Sequence, residues 1–303
     1  MADAALDAAL DVGADRAAID RAVAAFCDRY LHDVASPVAD AIRYALTGGG
    51  KRLRGLLFLR AFEAAGGDAA GDPAPLAAAI EVVHAYSLVH DDLPCMDDDD
   101  VRRGRPTVHR VYGVAAATAA GLAMVPLAAI AALDAARELG LGDDDAAAIV
   151  RELMIASGAG GMIAGQLLDL AGEGLPLPLA ELQRIHAAKT GALIAAAATI
   201  GGRAARAPAE RLAALARYGE AIGLAFQIAD DVLDVTATTS QLGKTAGRDL
   251  ALRKSTYPAL LGVDGARARA AALVRDGCDA LASVGLLTPA LARLAHFTIE
   301  RTS

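Results

Sequence analysis

Residues 81–109 read EVVHAYSLVHDDLPCMDDDDVRRGRPTVH, an apolar stretch that runs into six aspartates at 91, 92, 97, 98, 99 and 100, with Arg102, Arg103 and Arg105 close behind. Carboxylates crowded at the end of an apolar helix repel one another. A hard divalent cation relieves that repulsion, and Mg²⁺ in particular combines one or two carboxylates with phosphate oxygens of a substrate. The guanidinium groups point to the same ligand, because their planar fork matches phosphate oxygens. The other reading of such a run is a solvated acidic loop.

Residues 223–235, GLAFQIADDVLDV, shift the balance toward the metal. On a helix Gln227, Asp230, Asp231 and Asp234 fall at i, i+3, i+4 and i+7 and share one face, with Leu224, Phe226, Ile228, Val232 and Leu233 around them. Carboxylates inside an apolar helix need partners or a metal. Segments of the form DD-x-x-x-x-D and DD-x-x-D, far apart in sequence, predict two helices facing each other across one metal-filled cavity.

Several cations could complete such a site. Gly48-Gly49-Gly50-Lys51-Arg52-Leu53-Arg54 places backbone amides and positive charge just before a helix, a setting that favours anions. It lacks the nucleotide P-loop spacing, and its other reading is a helix end followed by surface charge. His84 lies seven residues before Asp91, on the same helical face, as a ligand or as a packed core residue. Lys189, in Lys189-Thr190-Gly191, interrupts an Ala-rich helix and must either snorkel to water or meet an anion. Gln166 and Asp169, in GMIAGQLLDL, pose a choice between site and buried hydrogen bonding; Lys244 lies in a polar loop from which it could swing onto a phosphate.

The elements that must position these groups read as helices. They are expected over 15–31, from Pro37 to the glycines at 48–50, from the KRLR segment to about 65, from Pro73 or Pro75 to the aspartates where Pro94 forces a bend or an end, and then over 111–138, 143–171, 179–203, 209–235, 257–284 and 289–300. Residues 236–254 read as a mobile loop. No stretch alternates with period two for long enough to predict a strand. The fold class is therefore all-α, a single domain over 1–303. Helices apolar nearly all round predict an inner helix covered by others or by a second subunit.

Composition agrees. Of 303 residues 55% are hydrophobic, 22% charged and 4% aromatic, which is ample for a large core. The net charge of −8 gives no basic footprint for nucleic acid. Three widely spaced cysteines, Cys27, Cys95 and Cys278, form no metal or redox motif and fit a reducing, cytoplasmic setting. The acidic start MADAALDAALDVGADR is not expected to be a secretory signal. Residues 111–133 are uncharged and long enough to span a bilayer, but their Ala and Gly content, Pro126 and lack of an aromatic belt predict a core helix instead.

In combination and order, the segments GGGKRLR (48–54), 81–109, GMIAGQLLDL (161–170), KTG (189–191), FQIADDVLD (226–234), LGK (242–244) and KSTYPALLG (254–262) resemble the trans-isoprenyl diphosphate synthases of the polyprenyl synthetase family. The four-residue spacer between Asp92 and Asp97 is similar to that of bacterial farnesyl and plant geranylgeranyl diphosphate synthases. The resemblance implies an isoprenoid-synthase-type helical bundle with a central cavity, usually a homodimer, and two or three Mg²⁺ ions per site. It implies condensation of isopentenyl diphosphate with an allylic diphosphate, dimethylallyl or geranyl. Asp91, Asp97 and Asp230 would hold metal most directly, supported by Asp92, Asp231 and Asp234. Lys51, Arg54, His84 and Arg103 match isopentenyl diphosphate positions. Arg102, Lys189, Thr190, Gln227 and Lys244 match allylic diphosphate positions, with Lys254 a further contact.

Tyr86 and Ser87 lie roughly 6 to 7.5 Å before Asp91 along a helix. A bulky ring there resembles the C15 enzymes and implies farnesyl diphosphate as main product, with a geranylgeranyl synthase, a non-catalytic partner subunit that binds prenyl diphosphates, and a terpene cyclase as rival readings. Two departures from the family pattern stand out: Gly55 where proline is usual after KRLR, and Leu122, in Ala120-Gly121-Leu122-Ala123-Met124, where the family has an aspartate expected to be buried.

Overall fold

The computed structural model describes residues 10, 12–67, 71–236 and 254–300. The chain divides into two compact units, Met1–Leu59 with Gly67–Met154, and Arg60–Gly66 with Ile155–Ser303. The all-α expectation holds. Apart from one minimal hairpin, every regular element among the described residues is helical.

The first unit contains α1 (Gly13–Tyr30), α2 (Val38–Leu46), the start of α3 (Leu53–Ala64), α4 (Ala74–Asp91), α5 (Val108–Tyr112) and α6 (Val114–Glu138). Its inner helix is α4, 13 of whose 18 residues are buried. It packs against α1, α2 and α6. Small residues allow the close approach of α6, which buries Ala117, Ala120, Gly121, Met124 and Ala128 along one face. As expected, α4 stops at Asp91, shortly before Pro94.

Sequence periodicity missed the hairpin of β1 (Val101–Arg102) and β2 (Arg105–Pro106), paired antiparallel, because two-residue strands carry no period. The turn is where the signal lies. Arg103 and Gly104 both take positive φ, 54° and 73°, the backbone of a tight two-residue hairpin. Gly113, at φ 85°, then separates α5 from α6, so the helix expected to run unbroken over 111–138 starts at Val114.

Two stretches, Val114–Glu138 and Asp143–Ala171, are long and apolar enough to cross a membrane. The first buries its Ala face on α4; the second is not one helix, because the glycine-rich residues 158–161 part α7 (Asp143–Ser157) from α8 (Met162–Ala171). The expectation about position 122 needs correction. Leu122 is 64% exposed, on the face of α6 opposite its buried stripe. No buried polar group is lost there.

The second unit continues through α8, α9 (Leu179–His186), a π-helical turn (Ala187–Gly191), α10 (Ala192–Ala204), α11 (Ala209–Thr236), α12 (Tyr257–Ala282) and α13 (Pro289–Glu300). The single helix expected over 179–203 is thus three segments with a widened turn at its centre. Its organiser is α11, which packs on α10, α12, α13 and the π-turn. Tyr218, fully buried, donates to the Leu291 carbonyl at 2.7 Å and ties α11 to α13. Residues 237–253, most of the predicted loop and Lys244 with it, lie outside the described residues.

Gly55, the other departure, has a clear local role. Its amide, in the first turn of α3, donates to Glu81 Oε1 at 2.8 Å, and Glu81 is 3% exposed. Proline would remove the donor from a buried carboxylate, a loss of about 1.5–3 kcal/mol, offset by about 0.4–1 kcal/mol from a stiffer unfolded chain. Alanine keeps the amide, and its Cβ would meet the tip of Ile19, Cδ1 at 3.0 Å, which can rotate aside. We expect Gly55→Pro to be less stable than Gly55→Ala by about 1–2 kcal/mol in urea unfolding. Equal midpoints and slopes would contradict this account.

Candidate active site

In the first unit, the acidic loop after α4 folds back on itself. The Asp97 amide donates to the Asp91 carbonyl at 2.8 Å and the Asp98 amide to Leu93 at 3.1 Å, with Asp98 at φ 50°. The closure sets the backbones of Asp91 and Asp97 side by side. Asp92 is turned the other way. It is 3% exposed and is gripped by Arg102, whose Nε lies 2.7 and 2.9 Å from its two oxygens and whose Nη2 lies 2.5 Å from Oδ1. Burial raises the Asp92 pKa while Arg102 pulls it down, and Arg102 in turn is held protonated by Asp92.

The hairpin that carries these arginines is fastened to the end of α2. Arg103 donates to the Gly49 carbonyl, Arg105 stacks over Tyr44 at 4.1 Å from its ring centroid, and the Tyr44 hydroxyl donates to Pro106 O at 2.8 Å. A cavity of about 60 Å³ remains between α2, α4 and the hairpin, lined by Gly48, Leu88, Asp92, Arg102 and Arg103 among others. Sequence reasoning missed Tyr44, and read Arg105 as a phosphate partner where the structure stacks it on that ring. An aromatic facing an arginine across 61 residues leaves no local signal.

His84, partly buried on α4, has a pKa well below the usual imidazole value. Burial is the main cause, followed by the charges of Arg54, Arg103, Arg102 and Arg52. It is neutral at pH 7, with no hydrogen-bond partner on buried Nδ1 among the described residues. Four guanidinium charges act on one neutral imidazole in a setting that gains from an anion. Lys51 closes the glycine segment beside Arg52. Tyr86 is 5% exposed, stands edge-on to His90 at 5.8 Å, and has its pKa pushed up to about 12 by burial and the charge of Asp91. Ser87 spends its hydroxyl on the His84 carbonyl at 2.8 Å.

The second unit repeats the division of labour between adjacent aspartates. Asp231 is 7% exposed; its Oδ2 accepts the Tyr257 amide at 2.9 Å, and Oδ1 lies 4.0 Å from His186 Nε2. His186 is pushed down to about 4, chiefly by burial, and is neutral. Asp230 is less buried and accepts from Gln227 Nε2 at 3.3 Å. Asp234, one turn on, is 6% exposed.

Lys189 and Thr190 occupy the π-turn, a form that recurs at functional sites. The turn is pinned from two sides by glycine: a Cβ at Gly165 would lie 2.1 Å from Lys189 N, and one at Gly223 would lie 2.8 Å from Gly191 Cα. Lys189 Nζ reaches Asp169 Oδ2 at 2.6 Å and Lys254 Nζ reaches the same oxygen at 2.9 Å, with Glu173 3.3 Å from Lys254. Asp169 is thus bonded to two cations in a partly buried position. Gln166, 8% exposed, leaves both amide atoms without a partner.

Among the described residues no three carboxylate, His or Cys side chains gather closely enough to cage an ion. The donor set still fits Mg²⁺, which keeps waters and takes one or two carboxylates plus phosphate oxygens. Asp91 beside Asp97 in one unit and Asp230 in the other offer hard oxygen donors of that kind.

Asp169 makes a pH prediction. Burial alone would raise its pKa, but Lys189 and Lys254 outweigh burial and bring it from 3.8 to about 2. A depressed carboxylate stabilises the fold above its unfolded pKa, and that contribution is lost as pH falls through the folded value. The shift is worth about 2 kcal/mol. Between pH 4 and 2 the melting temperature of Asp169→Asn should fall less steeply than that of the wild type; parallel curves would refute the pairing.

Comparison with known proteins agrees with this geometry. The polyprenyl synthetase family model matches residues 36–279, through both units. Farnesyl diphosphate synthase of Escherichia coli (strain K12) is 47% identical over 270 residues, covering 88% of this chain and 90% of that protein. Geranylgeranyl pyrophosphate synthase 12 of Arabidopsis thaliana is 43% identical over 247 residues, 80% of this chain and 68% of its own. Among solved structures, a FPP/GFPP synthase from Zymomonas mobilis superposes with a TM-score of 0.76 at 34% identity, covering 94% and 99% of the two chains. Geranylgeranyl pyrophosphate synthetase from Pyrococcus horikoshii gives 0.82 at 29% identity, covering 96% and 97%. With its motifs in order, its helical fold and a family match running through most of its length, this chain belongs to the polyprenyl synthetase family.

Proposed function

We propose that this prenyltransferase condenses isopentenyl diphosphate with dimethylallyl or geranyl diphosphate and releases mainly farnesyl diphosphate. The observation that carries the reading is the folded-back acidic loop, with Asp97 bonded to Asp91, on the helix whose neutral His84 feels the charges of Arg54, Arg103, Arg102 and Arg52. Candidate metal-binding carboxylates then stand at the end of the helix around which the candidate diphosphate-binding cations gather.

Asp91, Asp97 and Asp230 would hold two or three Mg²⁺ ions, with Asp92, Asp231 and Asp234 supporting. Bound Mg²⁺ supplies Lewis-acid stabilisation of charge on the departing diphosphate. Arg102, Lys189, Thr190, Gln227, Lys244 and Lys254 orient that diphosphate and share the charge. Lys51, Arg54, His84 and Arg103 hold isopentenyl diphosphate so that its double bond meets the allylic cation. A proton then leaves, to the released diphosphate. Apolar helix faces exclude water that would quench the cation. Tyr86, with Ser87 beside it, stops the growing chain. A geranylgeranyl-forming enzyme is the second reading, because several relatives carry that name.

The test is incubation with labelled isopentenyl diphosphate and each allylic starter, with and without Mg²⁺. We expect a C15 product that needs Mg²⁺, and loss of turnover by on the order of 10²–10³-fold in Asp91→Asn and Asp230→Asn. Tyr86→Ala should shift the product to C20 or longer. No turnover with any starter in a folded protein would instead favour a binding partner subunit.

We also place the enzyme in the cytoplasm and as a homodimer joined through apolar residues that α6 leaves exposed, Leu122 at 64% and Ile130 at 49%. Leu122→Asp should raise the monomer fraction in sedimentation. An unchanged distribution would move the interface elsewhere.

A further inference from the structure

Arg52 sits among the cations of the GGGKRLR segment yet points away from solvent. It is 6% exposed. Its Nε donates to Asp20 Oδ1 at 2.8 Å and its Nη2 to the Leu46 carbonyl at 2.9 Å, while Nη1 lies 3.9 Å from Glu81 Oε2. One side chain thus joins α1, the end of α2 and α4. Its backbone is held at φ 49°, a left-handed conformation that a branched-free but bulky residue adopts only when its surroundings enforce it. Its carbonyl accepts the Leu56 amide at 2.9 Å and so starts α3.

The partner on α4 is informative. Glu81 precedes His84 by three residues and lies one turn below it on the same side of the helix. Glu81 also accepts the Gly55 amide at 2.8 Å, just past Arg54. The segment is therefore bolted to α4 on both sides of Leu53, through one buried carboxylate, within a turn of the imidazole. A charge sealed inside and clamped by three elements cannot serve as a substrate cation, but it fixes where its neighbours lie.

We propose that Arg52 is the positioning residue of the isopentenyl diphosphate half-site: it sets the placement of Lys51 and Arg54 relative to His84 without touching substrate. The proposal rests on the reading that Lys51, Arg54 and His84 bind that diphosphate. Arg102 has its own anchor in Asp92, which holds the allylic half-site even though its hairpin also meets Gly49.

Arg52→Gly is the discriminating variant, because glycine tolerates the left-handed backbone and only the guanidinium is lost. A misplaced binding group costs on the order of 10- to 100-fold. We expect the KM for isopentenyl diphosphate to rise by about 10-fold or more, while kcat and the allylic KM stay within about 2-fold. Arg52→Lys, which keeps the charge without the fork, should not restore it. Asp20→Ala removes a partner whose side chain is 47% exposed, and should show the same selective rise, of about 3-fold, in a stably folded enzyme. The proposal is overturned if folded Arg52→Gly leaves the isopentenyl KM unchanged, or if both KM values rise together. Should Arg52→Gly not fold, an unchanged isopentenyl KM in Asp20→Ala overturns it. Lys51→Ala and Arg54→Ala serve as controls: if neither raises that KM, the assignment of the half-site itself has failed, whatever Arg52 does.

Discussion

A site that must accept diphosphate needs several cations close together, and like charges at low dielectric repel strongly unless something between them is negative. The structure meets this constraint with resident carboxylates. Arg102 lies in the fork of Asp92, Lys189 and Lys254 share one oxygen of Asp169, and Arg52 is clamped by Asp20 with Glu81 nearby. Each pairing lies within one unit, so each half of the cation set is in place through contacts of its own. The pairs differ in exposure. The Asp169 pair is partly exposed, with side-chain exposures of 22% for Lys189 and 18% for Asp169, whereas Arg52 is sealed at 5%.

Much of this could be read from residues alone, for identifiable reasons. The helices of 13–30, 74–91 and 209–236 follow from apolar spacing and from the prolines and glycines at their ends. The acidic clusters are legible because such crowding is tolerable only where water, a cation or a fork of arginine meets it. The hairpin at 101–106, the break at 158–161 and the π-turn at 187–191 were not legible. Each is only a few residues long; the break follows its own glycines, while the other two depend on what presses on them, Tyr44 on the hairpin, Gly165 and Gly223 on the π-turn. The direction of Arg52 was hidden for a related reason. A basic run looks uniform in sequence, and only the burial of Glu81 singles out which member turns inward.

The two departures from the family pattern illustrate opposite kinds of context. Leu122 replaces an aspartate on a surface of α6 that faces outward in its own unit, so the change adds apolar area to the exterior rather than removing a polar group from the core. Gly55 replaces a proline in the first turn of a helix, where proline is ordinarily well tolerated because the first amides have no helical partner. Here that spare amide has been given to Glu81. The same helix-terminal vacancy that permits proline elsewhere becomes a donor to a buried charge.

The doubled aspartates make sense in the same terms. Consecutive residues on a helix diverge by about 100°, so two neighbouring carboxylates face different surroundings. In each DD pair the structure buries the second member and bonds it inward: Asp92 to Arg102, Asp231 to the Tyr257 amide that opens α12. The first members, Asp91 and Asp230, stay less buried. The second aspartate thus anchors a neighbouring element, the hairpin through Arg102 in one case and the start of α12 in the other. Replacing the second member would release Arg102 in one unit and the Tyr257 amide in the other.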